Sequence, residues 1–303
     1  MFFVFLLYAL FASIFTFGKM SLNYAQPFFI VGSRFAVAGA VLLAYQFFKD
    51  RKSLVFDKSC FKQLFLLAFF NIYVCNACEF WGLQFLTSSK ACFIYSVSPF
   101  AAALLSYWIL SEKMTRLKWV GLVIGCVGLL PILLTETKSE ETAGTFFFLS
   151  WPEIAVLVAA VSSVYGWILL RQLVKSKGMG FITVNGFSML AGGIMTLGHS
   201  AVVGEWDASP VFDMGPFLAT ALAMIIISNF ACYNLYGFLL KKYTATFLSF
   251  AGFSTPIFAA FFGWIFLGEI IPSQSWIALS VLFSGLYLFH REELRLAGVA
   301  IKT

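Results

Sequence analysis

Long apolar runs alternate with short polar stretches along almost the whole chain. The hydrocarbon core of a bilayer is about 30 Å thick, so a helix that crosses it needs about 20 consecutive, mostly apolar residues. Runs of this length predict an all-α membrane protein with ten transmembrane helices. Their approximate limits are 2–18, 27–48, 63–84, 87–110, 117–134, 153–171, 181–203, 215–239, 245–267 and 274–290.

The distribution of positive charge predicts how these helices are oriented. Sixteen of the 20 lysine and arginine residues lie in loops on the side of both termini, and three lie in loops on the other side. Loops on the cytoplasmic face of a membrane carry an excess of such residues. We therefore expect both chain termini on the cytoplasmic side, the N-in and C-in orientation.

Composition excludes several other classes of protein. Apolar residues make up 61% of the chain and charged residues 11%, which leaves too little polar surface for a water-soluble fold. The net charge is +6, but no basic stripe is interleaved with aromatic residues, so we expect no nucleic-acid partner. Cys75 and Cys78 have the spacing of a metal or redox pair, but they lie in an apolar run without a second pair nearby. We expect no metal, no cofactor and no enzymatic activity, since the chain also lacks an HExxH motif.

The chain contains an internal repeat. A shift of 157 residues aligns Pro99 with Pro256, Glu112 with Glu269 and Trp119 with Trp276, among nine identities in 32 consecutive positions. Five helices in each copy, an odd number, would make the second copy cross the membrane in the opposite sense, the architecture of inverted-repeat transporters. The sequence thus predicts a first repeat over 1–135, a periplasmic linker over 136–152 and a second repeat over 153–303.

Two prolines occupy equivalent places in the repeats. Pro99 and Pro256 lie near the middles of the fourth and ninth predicted helices, each after a hydroxyl residue, Ser98 or Thr255. A proline inside a helix removes a hydrogen bond and bends the helix axis, and an adjacent hydroxyl satisfies part of the freed backbone. The two prolines are interpreted either as hinges beside a binding site or as static kinks that shape packing.

The proline segments also carry a family resemblance. The stretch SPFAAALLSYWILSEKMTRLKWVGLVIGCVGLL, which begins at Ser98, and its second copy TPIFAAFFGWIFLGEIIPSQSWIALSVLFSGLYLF, which begins at Thr255, resemble the EamA repeat of the drug/metabolite transporter superfamily. Each repeat of that family has a proline midway along its fourth helix, a glutamate just after it and a glycine-rich fifth helix. The resemblance implies alternating access to a small-molecule site between the repeats.

Within the superfamily, the phenylalanine-rich chain with a charged third helix resembles the S-adenosylmethionine/S-adenosylhomocysteine transporters of host-dependent bacteria. This resemblance implies uptake of S-adenosylmethionine in exchange for S-adenosylhomocysteine across a bacterial inner membrane. The alternative is an exporter of amino acids, aromatic metabolites or drugs. The expected partners are the small-molecule substrate and the lipid bilayer, with the protein a monomer or a homodimer.

Three ionisable residues lie inside predicted helices. Glu79 is in the third, Lys90 near the outer end of the fourth and Arg34 in the second. Each charge costs about 2.5–3.5 kcal/mol at the helix centre, so each requires a partner. In the functional interpretation, Glu79 and one cation bind the ammonium and carboxylate of an amino-acid head group. In the structural interpretation, Glu79 pairs with Lys90 or Arg34 and holds helices together, or Lys90 reaches the outer surface.

Polar and aromatic residues within predicted helices complete the candidate site. Helical spacing places Asn71, Cys75 and Glu79 on one face and Asn229, Tyr233 and Tyr236 on another, and we expect these two faces to oppose each other across the cavity. Tyrosine and tryptophan rings stack on a heterocycle or attract a sulfonium. Any one of these residues has the alternative role of helix packing. The candidates are Asn71, Asn76, Asn185, Asn229, Tyr8, Tyr95, Tyr165, Trp167 and Tyr233.

Overall fold

The computed structural model describes residues 2–54, 60–110, 114–133, 138–175, 177–242, 248, 251–269 and 273–296. Helices dominate the described part of the chain, and one hairpin of two short strands, with two residues in each strand, interrupts them. The first half contains α1 (Phe2–Ser21), α2 (Pro27–Lys49), a 3-10 turn (Arg51–Leu54), α3 (Phe61–Leu67), a π-helix (Ala68–Val74), α4 (Cys75–Phe85), α5 (Ser88–Tyr95), α6 (Ser98–Leu110) and α7 (Arg116–Leu133).

The second half repeats this order of helices after a short connection. The connection contains α8 (Lys138–Ala143) and the antiparallel strands β1 (Thr145–Phe146) and β2 (Leu149–Ser150). It is followed by α9 (Trp151–Lys175), α10 (Phe181–Val202), α11 (Met214–Met224), a π-helix (Ile225–Cys232), α12 (Tyr233–Lys242), a 3-10 turn (Gly252–Ser254), α13 (Thr255–Leu267) and α14 (Ser273–Leu296).

The apolar helices make this chain a multi-pass membrane protein. Among the described residues, eight helical segments are long and apolar enough to cross a bilayer. Two shorter apolar helices, Thr255–Leu267 and Ser275–Gly285, fall where the ninth and tenth spans are expected. The predicted ninth span begins at 245, and much of its first part lies outside the described residues.

Irregular backbone recurs at the repeat distance. The π-helices begin at Ala68 and Ile225, which are 157 residues apart. The helical run before each proline is also interrupted, between α5 and α6 in the first half and at the 3-10 turn in the second half. These matched interruptions are independent of residue identity, so they strengthen the case for two copies of one fold.

The interruptions put each proline in the first turn of a new helix rather than inside a continuous one. At this position the missing N–H group costs no helical hydrogen bond. The preceding hydroxyls act alike: Ser98 donates to the carbonyl of Tyr95 at 2.6 Å, and Thr255 donates to the carbonyl of Gly252 at 2.5 Å. The expected backbone role of these hydroxyls is therefore seen in both repeats, whereas a hinge role for the prolines stays a prediction.

Glycines allow the two halves to approach closely. Helix α2 packs against α10, and a Cβ atom placed on Gly39 would collide with the backbone nitrogen of Leu190 and lie 2.8 Å from the carbonyl oxygen of Gly186. Small residues at such contacts let membrane helices pack backbone to backbone. The same arrangement recurs where Gly285 of α14 meets Gly125 of α7.

We expect Gly39→Ala to lower the free energy of unfolding by about 1–3 kcal/mol, because the added methyl group forces two packed backbones apart. The measurement is denaturant unfolding of the purified protein in detergent. Gly198→Ala in α10 is the matched control, since no atom lies within 4 Å of the Cβ position there. Equal effects of the two substitutions would contradict the close contact.

Candidate functional site

A cavity of about 590 Å³ lies between helices of the two halves. Its lining extends from Arg34 and Glu79 to the last turns of α9, where Arg171 and Lys175 are exposed. The cavity therefore has a buried, charged region and a rim with basic side chains. The predicted site residues that line it are Tyr8, Arg34, Asn71, Asn76, Glu79, Tyr95, Pro99, Trp167 and Tyr233.

Arg34 is a cation with unused hydrogen-bonding capacity. Its side chain is 1% exposed, and its guanidinium lies 4.6 Å and 4.8 Å from the ring centroids of Phe35 and Phe80. The Nη2 atom donates to Oδ1 of Asn76 at 2.9 Å, whereas Nε and Nη1 have no hydrogen-bond partner among the described residues. A buried guanidinium with unpaired N–H donors is a strong binding site for a carboxylate, which accepts their hydrogen bonds.

Glu79 supplies the opposite charge. Oε2 accepts a hydrogen bond from the hydroxyl of Tyr95 at 2.7 Å, and that hydroxyl also contacts Sγ of Cys75 at 3.3 Å. Within the described part of the chain, Glu79 and Arg34 line the same cavity without forming a direct ion pair. The separation leaves an anion and a cation that a zwitterion would match.

The π-helix of the first half arranges the two asparagines of the third span. Asn76 Nδ2 donates to the carbonyls of Asn71 and Ile72, at 3.2 Å and 3.0 Å. The wider turn of a π-helix brings residues five apart onto one face, so Asn71 and Asn76 both line the cavity. In this way Asn76 orients Arg34 while its own amide is held by the backbone.

The second half contributes an aromatic wall, which we define as Trp167, Tyr233 and Tyr236. The ring centroid of Trp167 lies 5.1 Å from that of Tyr233 and 4.5 Å from that of Tyr236. All three residues line the cavity. Tyr8 lines it as well, and its hydroxyl donates to the carbonyl of Leu248 at 2.5 Å.

Asn229 lies outside the cavity, contrary to the face predicted by α-helical spacing. It is fully buried, and its amide nitrogen is 3.9 Å from Sδ of Met189. The π-helix over Ile225–Cys232 shifts the face by one residue, so that Ser228 takes the place expected for Asn229. Ser228 was absent from the sequence-based candidates, although it is the repeat equivalent of Asn71.

Four other candidates are also placed away from the cavity lining. Tyr165 packs edge-on against Phe70, with ring centroids 5.1 Å apart. Asn185 Nδ2 faces Oδ1 of Asn234 at 3.5 Å. Pro256 is buried in the first turn of α13, and Lys90 belongs to an ion-pair cluster described next. Tyr165, Asn185 and Pro256 therefore lie in contacts between or within helices rather than in the cavity lining.

Lys90 joins two buried carboxylates at the end of the bundle opposite the basic rim. Its Nζ lies 2.6 Å from Oε2 of Glu140 and 2.8 Å from Oε1 of Glu153, and all three side chains are at most 7% exposed. Glu153 also accepts from the backbone nitrogen of Ser150 at 2.7 Å. The sequence predicted that Lys90 would pair with Glu79 or reach the outer surface, whereas the structure buries its side chain and pairs it with these two acids.

Two further carboxylates connect the halves at that same end. Glu269, after α13, accepts from the backbone nitrogen of Ser88 at 2.7 Å and from the hydroxyl of Ser89 at 2.8 Å. Glu205, after α10, accepts from the backbone nitrogens of Phe28 and Phe29 at 3.1 Å and 2.9 Å. Both cap a helix N-terminus of the first half, where N–H groups lack helical partners. These contacts close the end of the cavity that lies near Arg34 and Glu79.

Several residues that line the cavity were not among the sequence-based candidates. Arg171 and Lys175 were assigned only to loop charge, yet both line the cavity. Ser96 also lines it, at the interruption between α5 and α6. Their common signal is position: each lies within one turn of a helix end or break that faces the other half. The other polar residues in this group are Ser98, Gln172 and Thr255, whereas Ser163 lines the cavity from the middle of α9.

A multi-pass helical bundle with a cavity between its two halves, lined in part by buried charged residues, is the construction of a membrane transporter. The sequence agrees, since residues 1–134 and 150–291 match the EamA-like transporter family. The chain belongs to this family.

Within this family, the chain is similar over nearly its full length to two curated transporters and to one solved structure. The S-adenosylmethionine/S-adenosylhomocysteine transporter of Chlamydia muridarum is 39% identical over 295 residues, which cover 97% of this chain and 92% of that protein. The protein of the same description from Chlamydia trachomatis is also 39% identical over 295 residues, covering 97% and 90%. A solved crystal structure superposes with a TM-score of 0.64 over 97% of this chain and 96% of the other, at 17% identity. That likeness shows the fold.

Proposed function

We propose that this protein is an alternating-access transporter that takes up S-adenosylmethionine in exchange for S-adenosylhomocysteine across a bacterial inner membrane. The full-length similarity to transporters described by these two substrates supports the proposal. The observation that carries it is the presence of both Arg34 and Glu79 in the lining of one cavity, with two guanidinium nitrogens free of hydrogen bonds among the described residues.

The two charges fit the amino-acid end that both substrates share. The carboxylate would bind the N–H groups of Arg34, and the ammonium would bind Glu79, whose position is held by Tyr95. A purely apolar cargo would leave both charges buried without compensation, which is costly. The cavity therefore favours a zwitterionic substrate over a hydrophobic drug.

The proposed arrangement is ten spans with both termini in the cytoplasm, in repeats over 1–135 and 153–303 that the segment 136–152 connects. With this orientation the last turns of α9 are cytoplasmic, and the cavity in this structure reaches the cytoplasmic side. The contacts of Glu269, Glu205 and Lys90 then form the closed periplasmic end. Opening to the periplasm requires these contacts to separate.

The proposal is tested with purified protein in liposomes that contain S-adenosylhomocysteine. We expect uptake of labelled S-adenosylmethionine that depends on the internal substrate, because exchange couples the two movements. Empty liposomes and liposomes without protein are the controls. Absence of exchange together with transport of tryptophan or another aromatic amino acid would overturn the proposal in favour of an amino-acid or drug exporter.

A further inference from the structure

We propose that the aromatic wall of Trp167, Tyr233 and Tyr236 is a purine-binding subsite, and that the substrate lies with its amino-acid end at Arg34 and Glu79. This inference rests on the proposed function and adds the orientation of the ligand and the residues that recognise its base. Tyr233 lies where the two subsites meet, because its ring centroid is 6.1 Å from that of Phe35, which the Arg34 guanidinium also contacts.

The repeat relation shows that the two halves contribute different chemistry to the cavity lining. Glu79 and Tyr236 are 157 residues apart, as are Asn76 and Tyr233, and all four line the cavity. Equivalent positions of equivalent helices therefore carry a carboxylate and an amide in the first half but phenol rings in the second half. A ligand that is charged at one end and flat and aromatic at the other matches this asymmetry.

Positions along α9 place Trp167, the centre of the aromatic wall, away from the closed end. Glu153, in the first turn of α9, contacts Lys90 at the closed end. Trp167 lies about 21 Å further along the helix axis at 1.5 Å per residue, one turn before Arg171 at the rim. By the same measure Arg34 lies about 10 Å from the start of α2, where Glu205 caps the helix. The charged subsite is thus the deeper one, and the base lies nearer the rim.

The rings in the wall are suited to a purine. Trp167 is tilted by 37° to Tyr236 and by 42° to Tyr233, so the three rings do not lie parallel in one stacked column. Stacking of a base on aromatic side chains is tolerant of base identity because every base has a π-face. We therefore expect the wall to recognise the presence of a purine rather than its exocyclic group.

The test compares S-adenosylhomocysteine with S-ribosylhomocysteine, which lacks the base, in equilibrium binding to purified full-length protein. Wild-type protein is expected to prefer the adenosyl compound by about tenfold, and Trp167→Ala is expected to remove most of that preference. Affinity for the ribosyl compound should change little. Trp167→Phe, which keeps a ring, should retain most of the preference, and Trp264→Ala is the matched control because Trp264 is exposed outside the cavity.

The binding measurements distinguish failure of the purine-binding subsite from failure of the proposed function. A Trp167→Ala protein that prefers the adenosyl compound as strongly as wild type overturns the subsite while leaving the proposed function intact. Wild-type protein that binds neither compound overturns both proposals. If Trp167→Ala binds nothing, Tyr236→Ala is measured in the same way, and retention of the full preference there overturns the subsite.

Discussion

Glu79→Gln is expected to reduce uptake of S-adenosylmethionine by about a hundredfold. Glutamine keeps the size of the side chain and still accepts the hydrogen bond from Tyr95, but it removes the negative charge that we assign to the substrate ammonium. Truncating one member of a buried charge pair costs about 2–5 kcal/mol, and a hundredfold corresponds to about 2.7 kcal/mol. The measurement is the initial rate of exchange in proteoliposomes at low substrate concentration.

The control for this prediction must be an acid away from the cavity. Sequence alone favours Glu140 as a loop residue, but Glu140 is fully buried and bonded to Lys90, so its substitution would disturb the fold. Glu141, the next residue, is exposed, and Glu141→Gln should leave exchange unchanged. Unchanged exchange in Glu79→Gln, with normal folding, would remove Glu79 from the site.

Lys90→Met is expected to lower the free energy of unfolding by about 3–5 kcal/mol, because it leaves two buried carboxylates without their shared cation. Thermal or denaturant unfolding in detergent measures the change. Lys62→Met is the matched control, since Lys62 is exposed at the start of α3.

The buried cluster also makes a rescue experiment possible. Adding Glu140→Gln and Glu153→Gln to Lys90→Met removes the unpaired charges, so the triple variant should recover much of the lost stability. A single Lys90→Met variant as stable as wild type would show that the cluster does not hold the end of the bundle together. A triple variant no more stable than the single one would show that packing, rather than charge, was lost.

Apolar length predicted most helices to within a few residues. The second span was expected over 27–48, and α2 covers Pro27–Lys49; the seventh was expected over 181–203, and α10 covers Phe181–Val202. The bilayer sets this length, so it can be read from the sequence without knowledge of packing. The positions of helix breaks cannot be predicted in this way, because they depend on packing against the opposing half as well as on local sequence.

Charged candidates were easier to predict than neutral ones. Arg34 and Glu79 stand out because an ionisable residue in an apolar run is costly and therefore informative. Asn229 and Ser228 differ by one position, and only the π-helix decides which of them faces the cavity. The partners of Lys90 lie 50 and 63 residues further along the chain, and the folding of α8 that brings Glu140 to it has no periodic signal in the sequence.

The paired π-helices have a mechanical consequence. Each places the residues that follow it, Cys75 to Glu79 in one half and Tyr233 to Tyr236 in the other, at an angle set by its wide turns. If the backbone of either stretch tightened to α geometry, the downstream side chains would rotate by about 100° about the helix axis. Such a rotation would turn the carboxylate, or the phenol rings, away from a bound molecule, while the helix before the π-helix stayed in place. We therefore expect the geometry of each π-helix to set how strongly its own half of the cavity holds the ligand.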